Sequence, residues 1–396
     1  MLRTILLLGL WLHMTAPAAA IELRRGLNLD IWVEWLPVET MLERDGFLDT
    51  FPDWRRHVPK DRLAELRANG FDFVRLPIEP GPLLALGPGQ RRQALLDQVV
   101  ETVEELHEAG LAVIVDLHLV SRPGQRFGAE AVLREPPAFA AYLELIEAVG
   151  RSLDGLDPAR TAFEPMNEPN HDCDAVERGR AVLWPPMLER LHATARSAAP
   201  DLPLVLSGAC WGHAQGLVVL DPNLIDDANV IWSLHSYEPF LFTHQGAEWL
   251  TIAERYLAEV PYPPSRLTSA AIDRLARAAA DRARGAHRAR DFRYRLEAYR
   301  RAGDAVAAAP IALVADWADR HGIPRHRLLL GEFGAMPADG RLQLLADKRR
   351  AAEAAGIAWA VWSWGDAMAI TTGGTVRQLD PAVLEALGLR AGREKP

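Results

Sequence analysis

Hydrophobic residues in this chain fall in short runs, separated by longer stretches in which apolar positions recur with helical spacing. A run of four to eight apolar residues is typical of a strand buried on both faces, as in a parallel sheet. Gly70 and Gly110 end two of the helical stretches, Lys60–Asn69 and Arg91–Ala109. The runs predict strands at Leu23–Asp30, Phe71–Ile78, Leu111–His118, Thr161–Glu168, Leu202–Ser207, Val230–Tyr237, Arg327–Phe333 and Ile357–Trp364.

Strands that alternate with helices in this way predict parallel βα units, which build either a closed barrel or an open doubly wound sheet. The open sheet is typically marked by a glycine-rich G-x-G-x-x-G turn after its first strand. Here the residues after Leu23–Asp30 are IWVEWLPVE, without that turn. We therefore predict an α/β fold consisting of a single (β/α)₈ TIM barrel.

One stretch exceeds the repeating unit. Residues 238–326, between the sixth and seventh predicted strands, include an Ala- and Arg-rich segment at 265–305. It lacks the Pro/Ser/Gly-rich composition of a linker, so we predict a pair of solvated helices inserted in the barrel. Residues 21–396 are expected to form one catalytic domain.

The first twenty residues have the features of a secretory signal peptide. Arg3 supplies a positive start, Ile5–Leu12 is an apolar run, and Ala18-Ala19-Ala20 matches an A-x-A cleavage site. The run is shorter than the roughly 20 residues that a bilayer span requires, and no later segment reaches that length. We expect an exported, periplasmic or extracellular protein without a membrane span.

The charge balance narrows the partners. Asp and Glu total 53 against 44 Lys and Arg, a net charge of −9, which disfavours a nucleic-acid or anionic-membrane surface. Neutral polysaccharides remain open, and 12 Trp against 6 Tyr suit flat contacts with sugar rings, although Trp also fills cores. No HExxH helix or C-x-x-C pair is present, so we expect no metal and no cofactor. A monomer is expected.

Polar and aromatic residues lie at the predicted carboxyl ends of the strands, where barrel enzymes carry their active sites. Any one of them has a purely structural explanation, such as a salt bridge or a satisfied carbonyl. Their convergence on one barrel mouth is costly unless it serves a function. The set comprises Asn28, Arg75, His118, Asn167, Glu168, His235, Tyr237, Glu332, Trp362 and Trp364.

Two carboxylates without a metal set or a nucleophile triad are the arrangement of glycoside hydrolysis. Arg75 and Tyr237 are expected to keep Glu332 ionised by charge and hydrogen bonding, which lowers its pKa. Glu168 follows the neutral Asn167 and is expected to stay protonated beside Glu332. The hypothesis is that Glu168 is the acid/base and Glu332 the nucleophile.

The strings RGLNL, FVRLP, DLH, MNEP, HSY and GEFG, in that order, resemble glycoside hydrolase family 5, the cellulase-like family of clan A. The resemblance extends from Gly26 to Trp364. It implies the same roles for the two glutamates. MNEP is shared with other clan A families. The Arg after the second strand, the His after the third and the His-x-Tyr of the sixth narrow the resemblance to family 5.

The resemblance also implies roles for the residues around the glutamates. Asn167 would bind the sugar 2-hydroxyl, and Arg75 and Tyr237 would hold Glu332. His118 and His235 would line the subsite of the reacting sugar. Trp362 would be the aromatic platform beneath that sugar, preferred over Trp364, which is expected to point to the same side.

The expected activity is retaining, endo-acting hydrolysis of a β-1,4-glucan by double displacement, with a polysaccharide or oligosaccharide as substrate. A β-mannanase, a β-1,3-glucanase, a transglycosylase and an enzyme that trims an exopolysaccharide would use the same core. A non-catalytic carbohydrate-binding barrel is the alternative from another class. The loop LVSRPGQRFGAE after His118 and the insertion depart from the cellulase pattern, and they leave the substrate open.

Cys173 and Cys210 are the two cysteines. They lie in loops leaving the neighbouring fourth and fifth strands, which start side by side on the catalytic face. Export permits a disulfide between them. Two buried free thiols remain the alternative.

Overall fold

The computed structural model describes residues 21–30, 60–119, 128–284, 289–373 and 377–389. The predicted signal peptide and most of the loop after His118 lie outside these ranges. Eight parallel strands form a closed barrel in which each pairs with the next and the eighth pairs with the first, so the predicted fold class is confirmed. The strands are β1 (Arg25–Asn28), β2 (Phe73–Ile78), β3 (Ala112–Leu117), β4 (Thr161–Glu164), β5 (Leu204–Ser207), β6 (Val230–His235), β7 (Leu328–Phe333) and β8 (Ala358–Val361).

Helices surround the barrel, as the alternating sequence pattern predicts. Five short 3₁₀ turns and a small antiparallel pair, β9 (Thr371–Thr372) with β10 (Gln378–Leu379), accompany them in the described residues. The helices are α1 (Lys60–Ala68), α2 (Pro80–Leu86), α3 (Gln90–Glu108), α4 (Ala129–Arg134), α5 (Pro136–Leu153), α6 (Cys173–Val176), α7 (Trp184–Ala198), α8 (Ala214–Val218), α9 (Phe240–Thr243), α10 (Ser269–Arg282), α11 (Ala289–Ala302), α12 (Ala309–Arg320), α13 (Arg341–Ala354) and α14 (Pro381–Ala386). None of these helices combines the length and apolarity that a bilayer span needs.

Several predicted strands run past their observed ends, and the fourth and eighth do so by the most residues. β4 ends at Glu164, four residues before Glu168, and β8 ends at Val361, before either tryptophan. Glu168 has a φ of 36°, which no strand residue adopts. Glu168, Trp362 and Trp364 therefore lie in segments that follow the strands. The alternation of side chains along a strand does not set their directions.

The barrel interior is divided into an apolar lower layer and a polar upper layer. Phe73, Ile114 and Ala162 belong to a buried cluster that fills the lower interior. Because strand side chains alternate, the residues two positions further on face the same interior. Those residues are Arg75, Asp116 and Glu164, all buried.

The insertion is shorter than predicted and has a core of its own. α12 belongs to the barrel, since Trp317 packs edge-on against Trp232 of β6 with ring centroids 5.8 Å apart. Residues 238–308 therefore make up the insertion. Its helices α10 and α11 are not merely solvated, because their apolar faces pack together in a cluster that includes Leu275, Phe292 and Leu296.

Candidate active site

Glu332 lies at the end of β7 and is buried at the centre of the barrel mouth. The pairing of β7 with both neighbouring strands is irregular here, which turns Glu332 into the interior. Gly331 makes this possible, because a Cβ at that position would lie 2.5 Å from Ser233 Oγ and 3.1 Å from His235 Nε2. Arg75 Nη1 donates to Glu332 Oε1 at 2.7 Å, and the Tyr237 hydroxyl donates to Oε2 at 2.8 Å.

Glu168 approaches the same point from the segment after β4. Its carboxylate Oε1 lies 2.8 Å from His235 Nδ1, and that nitrogen is 3.5 Å from Glu332 Oε2. One ligand atom each from Glu168, His235 and Glu332 lies within 4.8 Å of the others. The structure therefore brings together the two glutamates that the sequence pairs, with His235 beside both.

The Arg75 guanidinium organises the floor of the site. Besides Glu332, it contacts Glu164 with 2.7 and 2.9 Å hydrogen bonds and Asp116 at 3.0 Å. Glu164 and Asp116 are absent from the sequence-derived set, although each lies two residues after an interior position of its strand. That spacing is a signal by which they could have been found. Arg75 and Asp116 are entirely buried, so the guanidinium is held by carboxylates out of contact with water.

Asn28 and Asn167 differ in whether their side-chain amide nitrogen has a hydrogen-bond partner. Asn28 Oδ1 accepts from Arg75, and Nδ2 donates to backbone oxygens that include Gly331 O at 2.9 Å. Asn28 is therefore occupied in joining β1 to the site. Asn167 Oδ1 also accepts from Arg75, at 2.8 Å, but its buried Nδ2 has no hydrogen-bond partner in the described part of the chain. An unsatisfied buried donor is costly, so this amide is suited to bind a ligand oxygen.

Trp362 and His118 form one wall of the mouth. Their rings stack with centroids 5.2 Å apart and planes 15° apart, and His118 Nδ1 lies 2.8 Å from Asp116 Oδ2. Trp362 Nε1 donates to Asp366 Oδ2 at 2.6 Å, which fixes the indole. The expectation that Trp364 points to the same side is wrong, because that residue lies beyond the end of β8 and its side chain is buried in the main core.

Burial dominates the titration of the site. It raises the pKa of Glu332, against the opposing effects of His235 and Arg75, and Glu168 raises it further. It also raises the pKa of Glu168, which His118 and His213 oppose. Arg75 lowers the pKa of Glu332 as expected, but the net change is upward because desolvation is the larger effect. Burial lowers the pKa of His235 to about 4, so its imidazole is neutral near pH 7.

The partners still distinguish the two carboxyls. Glu332 accepts from both Arg75 and Tyr237, and these donors favour its ionised form. Glu168 has His235 as its hydrogen-bond partner and a side chain that is 21% exposed, against 4% for Glu332. Glu168 is thus the more exposed of the two carboxyls, and it lacks the arginine and tyrosine donors that Glu332 has.

A disulfide braces the loop beside Glu168. Cys173 and Cys210 are bonded, with Cα atoms 4.7 Å apart. Next to the bridge, the backbone amide of Trp211 donates to the oxygen of Pro169, the residue after Glu168, at 2.9 Å. Trp211, which sequence reasoning passed over, is 40% exposed and has a φ of 64°. Sustained positive φ at a bulky residue is strained and is commonly found at functional sites.

The carboxylates of Glu168 and Glu332 with His235 are also donors that are able to hold a metal ion. Each of the three has another explanation as part of a hydrolytic pair and its supporting imidazole. The expectation of a metal-free reaction stays a prediction.

Comparisons with known proteins bear on the family and the fold of this chain. The sequence profile described as cellulase, glycosyl hydrolase family 5, matches residues 43–368. The chain is 26% identical over 379 residues to endoglucanase 3 of Fibrobacter succinogenes, which covers 91% of this chain and 52% of that relative. The chain spans about half to two thirds of the length of such curated relatives.

Two solved structures show the same fold. Cellulose synthase subunit Z (CcsZ) of Clostridioides difficile matches with a TM-score of 0.66 at 19% identity, covering 92% of this chain and 99% of that one. A hyperthermophilic endo-β-1,4-glucanase in complex with substrate matches with a TM-score of 0.65 at 22% identity, covering 93% and 97%. Since the profile covers most of its length, this chain belongs to glycosyl hydrolase family 5, the cellulase family.

Proposed function

We propose that the protein is a retaining endo-β-1,4-glucanase that acts by double displacement. The observation that carries the proposal is the close pairing of Glu168 and Glu332, whose nearest carboxylate oxygens lie within 4.8 Å of each other. Retaining enzymes place their carboxyl groups about 5–5.5 Å apart, whereas inverting enzymes need roughly 6.5–9.5 Å to admit a water. The short distance in this site therefore supports the retaining arrangement.

In the first step, the Glu332 carboxylate attacks the anomeric carbon while Glu168 donates its proton to the departing glycosidic oxygen. In the second step, Glu168 removes a proton from water, and the water oxygen displaces Glu332 from the anomeric carbon. The donors Arg75 and Tyr237 support Glu332 as the anion in which it attacks and leaves. The free Nδ2 of Asn167 would donate to a hydroxyl of the reacting sugar.

Trp362 and His118 would flank that sugar. The stacked pair presents an aromatic surface at the mouth, and Asp366 holds the indole in place. A flat apolar face with a few convergent polar groups is the usual composition of a ligand site. We also propose that the protein is exported, as its first twenty residues suggest.

A reducing-sugar assay on carboxymethylcellulose, mannan, laminarin and xylan tests the substrate. We expect the highest rate on the cellulose derivative, with the β-anomer formed first when the products are followed by proton NMR. Hydrolysis of mannan or laminarin alone would replace the substrate while keeping the mechanism. Initial release of the α-anomer would contradict double displacement.

A further inference from the structure

A cavity of about 980 Å³ lies within the insertion, outside the catalytic mouth. We call it the insertion pocket, and its lining includes Glu238, Phe240, Glu254, Tyr294 and Arg295. Glu238 and Phe240 follow β6, Glu254 lies in a 3₁₀ turn, and Tyr294 and Arg295 lie on α11. Its volume is within the range of small-ligand sites, about 300–1,000 Å³.

The wall of the insertion pocket combines exposed aromatic surface with a carboxylate that is not fully used. Tyr294 is 67% exposed, and it lines the same cavity as the half-buried Phe240. Glu254 is 5% exposed, and its Oε1 accepts from Arg295 Nη1 at 3.0 Å. Its Oε2 is buried and has no hydrogen-bond partner in the part of the chain that the structure describes.

This chemistry suits a saccharide. Sugar hydroxyls donate to carboxylate oxygens and accept from guanidinium groups, while the faces of the ring pack on aromatic side chains. Among the described residues, the group of three donors close enough to hold a metal ion lies at Glu168, outside the pocket. An unpaired buried carboxylate oxygen is costly, and a hydroxyl donor would offset that cost.

The insertion pocket is joined to the catalytic centre by packed rings. Phe240 stacks on His244 with centroids 3.9 Å apart, and His244 meets Tyr237 at 5.0 Å. Tyr237 in turn donates to the Glu332 carboxylate.

A buried lysine also ties the pocket to the barrel. Lys348 Nζ donates to Ser236 Oγ at 2.8 Å, and that hydroxyl donates to Glu238 Oε2 at 2.9 Å. The pocket therefore has a definite position relative to the nucleophile.

We propose that the insertion pocket binds a sugar unit of the β-glucan chain outside the catalytic mouth. The proposal rests on the proposed function, since it takes the same polymer as ligand. A second contact on one polymer raises the effective concentration of the chain at the catalytic centre. It is expected to lower the KM for polymers and to leave the hydrolysis of short substrates unchanged.

Polymer binding is measured by native affinity electrophoresis in gels that contain hydroxyethylcellulose, with the Glu332→Ala variant as parent so that the gel is not digested. Adding Tyr294→Ala should raise the dissociation constant on the order of 5–10-fold, because one of two linked contacts is lost. Tyr294→Phe keeps the ring and should bind as the parent does. Leu342→Ala, at a 42% exposed position on α13, is the control for loss of exposed apolar surface.

Kinetics with an otherwise wild-type chain separate the pocket from the catalytic centre. Tyr294→Ala should raise KM several-fold on hydroxyethylcellulose, with kcat and the hydrolysis of an aryl cellobioside unchanged. Glu254→Gln should weaken polymer retention as well, and its thermal melting curve shows whether it folds. If this buried variant does not fold, the Tyr294 variants still test the pocket, because Tyr294 is exposed.

The outcomes are distinct. If the parent is retarded and the wild type hydrolyses the polymer, but Tyr294→Ala behaves like Leu342→Ala, the insertion pocket is not a glucan site. If the wild type hydrolyses no β-glucan and the parent is not retarded, the proposed function fails and the pocket proposal fails with it.

Discussion

Replacing Arg75 with methionine tests whether one buried cation holds the site together. The side chain fits a similar volume without charge, so Asp116, Glu164 and Glu332 lose their shared partner while the packing is largely kept. Removing one partner of a buried ion pair typically costs about 3–5 kcal/mol of unfolding free energy. The same cost applies to the loss of all three ion pairs, because the carboxyls left without the arginine can take up protons instead of remaining charged.

The cost converts into a melting temperature. With an unfolding entropy of about 2 cal/mol/K per residue, a domain of roughly 370 residues loses about 1.3 °C for each kcal/mol. Arg75→Met should therefore melt about 4–7 °C below the wild type near pH 8, measured by calorimetry. The control is Arg134→Met, which removes an exposed ion pair with Glu130 and should cost less than about 1 kcal/mol.

The pH dependence gives a second measurement. Burial raises the pKa of Asp116 to about 7, partly offset by Arg75, and without the guanidinium it should rise further. A carboxyl whose pKa is raised in the folded state contributes stability below its unfolded pKa, and this stability is lost as the pH rises through the folded pKa. The deficit of Arg75→Met should thus be largest above pH 7 and shrink towards pH 4.

The pH dependence of activity should also shift. Glu332 would ionise at higher pH without Arg75, so the acid limb of the kcat/KM profile should move to higher pH. Equal melting deficits at pH 4 and pH 8, or a loss no larger than that of Arg134→Met, would refute the reasoning.

Further predictions concern the carboxyls, the bridge and the platform. Glu332→Ala should lose turnover, and added azide should restore it by forming the glycosyl azide of opposite anomer; in Glu168→Ala, azide should yield the retained anomer on activated substrates, and both products are identified by NMR. Dialysis against EDTA should leave the hydrolysis rate unchanged, and recovery on adding zinc after a loss would show a metal-dependent reaction. Cys173→Ser opens a loop of 37 residues' separation and should lower the unfolding free energy by about 3–4 kcal/mol, measured by denaturant titration. Asp366→Ala should free the Trp362 indole and raise KM more than it lowers kcat, whereas Asp366→Asn, which keeps an acceptor, should stay near the wild type.

The sequence was sufficient for the architecture because barrel strands are buried on both faces and read as continuous apolar runs. It also placed Glu168 and Glu332 near each other, since strand ends of a parallel barrel meet at one mouth. The strand limits were less predictable, because Glu168 and Trp362 follow strands in segments whose backbone is set by tertiary hydrogen bonds. Asp116 and Glu164 were missed although the alternation of their strands points them inward.

The tertiary structure decided how strongly residues far apart in the chain affect one another. Sequence spacing indicated that Arg75 would lower the pKa of Glu332, but burial, which depends on every neighbouring element, outweighs that effect. The positions of Trp362 and Trp364 also depend on tertiary contacts, since Trp362 stacks on His118 and Trp364 is buried in the core. Local pattern determines which elements form, whereas desolvation and side-chain direction depend on contacts that exist only once the barrel has closed.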